Sequence, residues 1–68
     1  MTLQEAIYDA LKRSKTYMTR PMLFWDLIDQ FPDLTKEQLD RNLWLMVRSK
    51  KVVKTPKDEF TANDFGEN

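Results

Sequence analysis

The sequence predicts a mostly helical α+β fold in which a three-helix bundle is followed by a C-terminal β-hairpin. Three amphipathic segments each begin at a threonine suited to cap a helix, namely Thr2, Thr19 and Thr35. Two short extended segments follow the third helix and are separated by a turn that contains proline. The chain has 68 residues, so we expect one domain over residues 1–62 and a flexible tail over residues 63–68.

The first helix has a clear start and one apolar face. Thr2 is its N-cap, and Glu5 stands three residues later, which completes a capping box. Apolar residues then recur at helical spacing, namely Leu3, Ala6, Ile7, Ala10 and Leu11. This pattern predicts an amphipathic helix of about three turns that packs against a core.

The second helix is predicted from Thr19 to Pro32, which is expected to end it. A short strand is expected just before it, within residues 15–18, because this link contains β-branched and aromatic residues. Apolar side chains cover more than half of the helix, which favours burial against two neighbours. Met22 and Trp25 lie at the edge of this apolar arc and are the residues we most expect to be exposed.

The third helix is predicted over residues 35–51, and the hairpin over residues 52–62. Thr35 and Gln38 form a second capping box. The stripe that faces the core consists of Leu39, Leu43, Met46 and Val47. Trp44 lies off this stripe; we expect it in the core between the first helix and the hairpin, with a solvent-exposed protein contact as the alternative.

The composition limits the possible functions. The chain has no Cys or His, and it has no glycine-rich phosphate loop, so we expect no enzyme activity, no metal site and no cofactor. Asp26, Asp29 and Asp33 are interpreted as solvated acids rather than metal ligands. Neither a signal peptide nor a membrane-spanning segment is evident, which predicts a cytoplasmic protein. Aromatic residues are expected to supply much of the burial: Tyr8, Tyr17, Phe24, Trp25, Phe31, Trp44, Phe60 and Phe65.

The charges are unevenly distributed along a chain whose net charge is zero. Residues 41–57 carry six cations and no acid, which gives this segment a charge of +6. Residues 21–40 and 58–68 each sum to −4. A neutral total therefore allows one positively charged face.

The order of helix, short strand, helix, turn, helix and hairpin resembles the winged helix-turn-helix domains. The residues that carry this resemblance are the capped second helix, the turn FPDLT, the third helix TKEQLDRNLWLMVRSKKV and the hairpin VVKTPKDEFT. The glycine common at the corner after the third helix in that family is replaced by Lys50 and Lys51. The resemblance is one of topology and covers about residues 3–62.

This resemblance implies a small bacterial or phage transcriptional regulator that binds double-stranded DNA, with the third helix in the major groove and the hairpin as a wing on the backbone. The candidates for base contacts are Lys36, Gln38 and Arg41, with Glu37 and Asp40 as further possibilities. The candidates for backbone contacts are Thr19, Arg20, Arg48, Lys50, Lys51, Lys54 and Lys57. A homodimer is also implied, because one such module reads few bases.

The alternative is a winged-helix module that binds a protein and not DNA, such as a phage-type inhibitor, an anti-repressor or a subunit of a complex. The charges of Lys36, Glu37, Asp40 and Arg41 cancel, so the expected reading face is not basic. The candidate contact residues for this alternative are Trp25, Trp44 and Leu45. We expect DNA binding if the cations share one side of the molecule, and protein binding if they are dispersed.

Overall fold

The computed structural model describes residues 2–63, which form three α-helices and a three-stranded antiparallel sheet. The elements in chain order are α1 (Leu3–Ser14), β1 (Met18–Thr19), α2 (Arg20–Leu27), α3 (Lys36–Arg48), β2 (Val52–Lys54) and β3 (Glu59–Ala62). The predicted mostly helical α+β class is confirmed. Residues 64–68, which include Phe65 and most of the predicted tail, lie outside the described residues.

All six elements contribute to one hydrophobic core. Its buried members are Ala6, Ile7, Ala10, Leu11, Met18, Leu23, Leu27, Leu34, Leu39, Leu43, Met46, Val52 and Phe60. The expectation that aromatic residues supply much of the burial is met only in part, because Tyr8, Phe24 and Phe31 pack against this core while partly buried. Among the described aromatic side chains only Phe60 is fully buried, because the stripes of α1 and α3 present aliphatic residues to the centre.

Helix α2 is shorter than predicted and ends at Leu27, not at Pro32. The carbonyl of Leu27 accepts hydrogen bonds from the N–H groups of both Gln30 and Phe31, at 3.0 and 2.9 Å, which closes the last turn. The N–H of Leu34 then donates to the carbonyl of Phe31 at 3.0 Å. This tight turn places Leu34 in the core.

Helix α3 also ends early, at Arg48, because Lys50 adopts a left-handed backbone conformation with φ of 68°. The N–H of Lys51 donates to the carbonyl of Met46 at 2.9 Å, and the N–H of Lys50 donates to that of Val47 at 3.1 Å. This is the Schellman pattern, in which glycine usually occupies the left-handed position. Lys50 therefore takes the conformational role of the absent corner glycine.

The sheet has the order β1-β3-β2, so the last strand lies at its centre. Met18 of β1 and Lys54 of β2 both pair with Phe60, from opposite sides of β3. The hairpin turn is closed by a hydrogen bond from the N–H of Asp58 to the carbonyl of Thr55, at 3.0 Å. Asn63 extends this pairing, because its N–H donates to the carbonyl of Lys51 at 3.0 Å. The predicted hairpin is confirmed.

Candidate interaction surface on the third helix

The capping box at the start of α3 includes Gln38, one of the predicted base-contact residues. The hydroxyl oxygen of Thr35 accepts from the N–H of Gln38, and the side-chain oxygen of Gln38 accepts from the N–H of Thr35, both at 3.1 Å. Bidentate recognition of adenine requires both the oxygen and the nitrogen of a glutamine amide. Gln38 would have to give up the cap to read a base in that way. Lys36 and Arg41 are exposed.

Arg20, a predicted phosphate contact, lies between two carboxylates where α2, α3 and the hairpin meet. Its Nη1 donates to Asp58 Oδ2 at 2.8 Å, and its Nε lies 3.1 Å from Asp40 Oδ1. The Nε atom is buried and forms no hydrogen bond, so the contact with Asp40 is an ion pair without good hydrogen-bond geometry. Lys54 Nζ lies 3.6 Å from the other oxygen of Asp58. Two predicted phosphate contacts are therefore neutralised within the domain.

The guanidinium of Arg20 also lies over the ring of Phe60, 5.5 Å from its centroid. Its neighbour Thr19 caps α2, accepting from the N–H of Met22 at 3.4 Å. All members of this ion-pair cluster are roughly half exposed, so each pair is worth only about 0–1 kcal/mol. The main effect of the cluster is to fix the orientation of these charged side chains.

The predicted cations do not all line the same groove. Lys50 and Lys51 line a groove with Glu5 and Asp9 of α1. Arg20 and Lys36 line a different groove, together with Asp40 and Asp58. Lys36 is the first residue of α3 and Lys50 follows its last residue. These two lysines are therefore about 20 Å apart along the axis of this 13-residue helix. Lys57 is exposed in the hairpin turn.

The outward side of α3 carries one line of exposed residues, which we call the outer stripe: Glu37, Arg41, Trp44 and Arg48. Trp44 is 58% exposed, so the expectation that it belongs to the core is wrong. Leu39, Leu43 and Met46 already fill the side of α3 that faces the core. The guanidinium of Arg48 lies over the indole of Trp44, 5.2 Å from the ring centroid. Leu45 lies beside the stripe and is 42% exposed.

Trp25 provides a second exposed indole next to α3. It is 73% exposed, in agreement with the expectation for this residue, and its ring meets that of Phe24 edge-on at 6.4 Å. Trp25 lines the groove that contains Lys36 and Asp40, and Trp44 follows Asp40 by one helical turn. The exposed Trp25 of α2 therefore lies near the part of α3 that carries Trp44.

Within residues 2–63, no group of three or more acidic, His or Cys side chains is arranged to hold a metal ion, and Asp26, Asp29 and Asp33 are exposed. The backbone N–H of Thr2 holds the pKa of the Glu5 carboxyl below its usual range, as in an ordinary helix cap. The helices of this part of the chain are all too short or too polar to cross a lipid bilayer.

Reasoning from the sequence missed Asp58, which is 38 residues from Arg20 along the chain and was not among the candidates. The sequence suggests Asp40 only as a base contact, whereas in the structure it pairs with Arg20. No local pattern signals such pairs, because they depend on the docking of the hairpin against the two helices. No protein-family model matches the sequence, and no curated protein or solved structure matches it significantly.

Proposed function

We propose that this chain is a winged-helix module that binds a protein through the outer stripe of α3. The element order and a sheet order with the last strand at the centre support the winged-helix assignment. The observation that carries the function is the exposure of Trp44 and Leu45 on the outward side of α3. Large apolar side chains in that position gain most from burial against another protein, where tryptophan and arginine are the commonest energetic anchors.

The charges favour a protein partner over the DNA backbone. Helix α3 carries Lys36, Arg41 and Arg48 against Glu37 and Asp40, which leaves a net charge of +1. DNA-binding surfaces that make about six or more phosphate contacts need many unpaired cations on one side. Arg20 and Lys54 are instead paired with acids. An electrically mixed surface with an aromatic centre fits a protein better than a polyanion.

A DNA-binding regulator is the second candidate, supported by the position of the hairpin beside α3. In this arrangement α3 would enter the major groove, and the hairpin would follow the backbone as a wing. Lys57 is exposed in the hairpin turn, and Lys36 and Arg41 are exposed on α3. Within residues 2–63, these three cations form no ion pair, and neither do the exposed backbone-contact candidates Arg48, Lys50 and Lys51, so this candidate depends on these six groups.

Photo-crosslinking tests for a protein partner directly. A photoreactive phenylalanine analogue is placed at Leu45, and as a control at Tyr17, which has similar exposure but lies in the link before β1. After irradiation in cells, we expect discrete protein adducts from position 45 and none from position 17. Equal yields at both positions, or no protein adduct at position 45, would contradict the proposal.

A titration with labelled random duplex DNA tests the second candidate. Non-specific binding by such a regulator should appear at about 10 μM protein in about 50 mM salt. We expect no change in fluorescence anisotropy under these conditions. Saturable binding that is lost after charge reversal at Lys36 and Arg41 would favour the DNA candidate instead.

A further inference from the structure

On the basis of the function given above, we propose that the protein partner of the outer stripe is a second copy of this chain. In the proposed dimer, the two α3 helices pack antiparallel about a two-fold axis that crosses them midway between Arg41 and Trp44. The same surface is then used by both subunits, as in most symmetric dimers. Self-complementarity of the stripe is the observation that identifies the partner.

The stripe has the spacing of a helix–helix seam. Glu37, Arg41, Trp44 and Arg48 follow one another at intervals of four, three and four residues. This alternation is the spacing of the a and d positions along which two helices pack side by side. All four side chains are exposed, so the seam has no partner within the described part of the chain.

The order of side chains along the stripe is complementary to its own reverse. When a second α3 is placed antiparallel, Glu37 faces Arg48 of the copy and Arg41 faces Trp44 of the copy. Each contact occurs twice because of the two-fold axis. The first is an ion pair between a carboxylate and a planar guanidinium, and the second is a cation–π contact on a ring whose other neighbour is Arg48 of its own chain.

The same charges disfavour other arrangements. In a parallel pair, Glu37 would face Glu37, Arg41 would face Arg41 and Arg48 would face Arg48, so the three charged positions of the stripe would repel. The stripe carries one glutamate and two arginines, so a uniformly acidic partner would face a like charge at one position and a uniformly basic partner at two. The antiparallel copy matches every position of the stripe.

The small contact limits the strength of the dimer. One seam of four residues, flanked by Leu45, buries less than the roughly 800 Å² per subunit of a standard stable interface. We therefore expect a dissociation constant on the order of 10–100 μM, and measurements across about 1 μM to 1 mM protein are needed to detect it.

Charge exchange between Glu37 and Arg48 tests both the partner and the orientation. Positions 37 and 48 are separated by about 16 Å along one helix, so they do not contact each other within a chain. Sedimentation equilibrium follows the average mass, which for the monomer is 8.2 kDa. The variants are Glu37→Arg, Arg48→Glu and the double variant, with circular dichroism to verify that each is folded.

The expected result is association of the wild type towards twice the monomer mass. Each single variant should weaken association at least tenfold, because it places like charges opposite each other twice per dimer. The double variant should regain association to within about threefold of the wild type, since each pair is restored with its signs exchanged. Asp29→Arg and Lys57→Glu make the same charge changes at exposed positions outside α3 and should leave association unchanged.

Two results would overturn this proposal. The first is a wild-type protein that stays monomeric over the whole concentration range. The second is a double variant that associates no better than the single variants, because a parallel pair gains nothing from the exchange. Failure of this proposal is distinguishable from failure of the proposed function. A monomer that still crosslinks to a different protein through position 45 excludes only self-pairing. A monomer that binds duplex DNA through Lys36 and Arg41 excludes both self-pairing and the proposed protein-binding function.

Discussion

Replacement of Lys50 by glycine should stabilise this protein, although it removes a side chain. Lys50 has φ of 68°, in the left-handed region, at the end of α3. A residue with a Cβ atom pays about 1–2 kcal/mol for this conformation, whereas glycine does not. Glycine loses about 0.4–1 kcal/mol through the greater entropy of the unfolded chain. The difference predicts a gain of about 0.5–1 kcal/mol in the free energy of unfolding.

For a chain of 68 residues, the entropy of unfolding is about 140 cal/mol/K near the melting temperature, so this gain should raise Tm by about 3–7 °C. The assay is thermal unfolding followed by circular dichroism, together with urea unfolding. Lys50→Ala is the matched control, because it removes the same charge and keeps Cβ. Lys51→Gly is the opposite control: Lys51 is not among the described residues with positive φ, so glycine there should destabilise. The reasoning is refuted if Lys50→Gly melts no higher than Lys50→Ala.

Three further predictions concern the core, the ion-pair cluster and the first cap. Leu43→Ala should lower the free energy of unfolding by about 2–5 kcal/mol, whereas Trp44→Ala should change it by less than about 1 kcal/mol; urea unfolding compares them. Replacing Asp40 and Asp58 together by Asn should lower the free energy of unfolding only slightly, because each of the three half-exposed ion pairs contributes about 0–1 kcal/mol; a loss above about 3 kcal/mol in urea unfolding would contradict this.

The third prediction in this group is a loss of α1 stability in acid. The pKa of Glu5 is lowered by folding, so its contribution is present above the usual glutamate pKa and lost as the pH falls through the folded-state value. In the Glu5→Gln variant, hydrogen exchange of the first turn of α1 should not show this loss of stability as the pH falls.

Local patterns correctly predicted the starts of the helices and the two main core stripes. Thr2, Thr19 and Thr35 accept hydrogen bonds from N–H groups three residues later, and such contacts depend only on neighbours in sequence. The ends of α2 and α3 were less predictable. Lys50 adopts a conformation usually given to glycine, and α2 ends at Leu27, five residues before Pro32.

The sequence by itself determined where the three helices start, the hairpin turn and the faces of α1 and α3 that enter the core, because spacings of three, four or two residues encode them. Tertiary structure alone decided that Trp44 faces solvent, since burial depends on which elements pack against each side of α3. It also decided that Arg20 pairs with Asp40 and Asp58, 20 and 38 residues away. Which charged side chains remain available to a partner therefore depends on how the hairpin and the helices pack together, because ion pairs between distant residues have no signature in the local sequence.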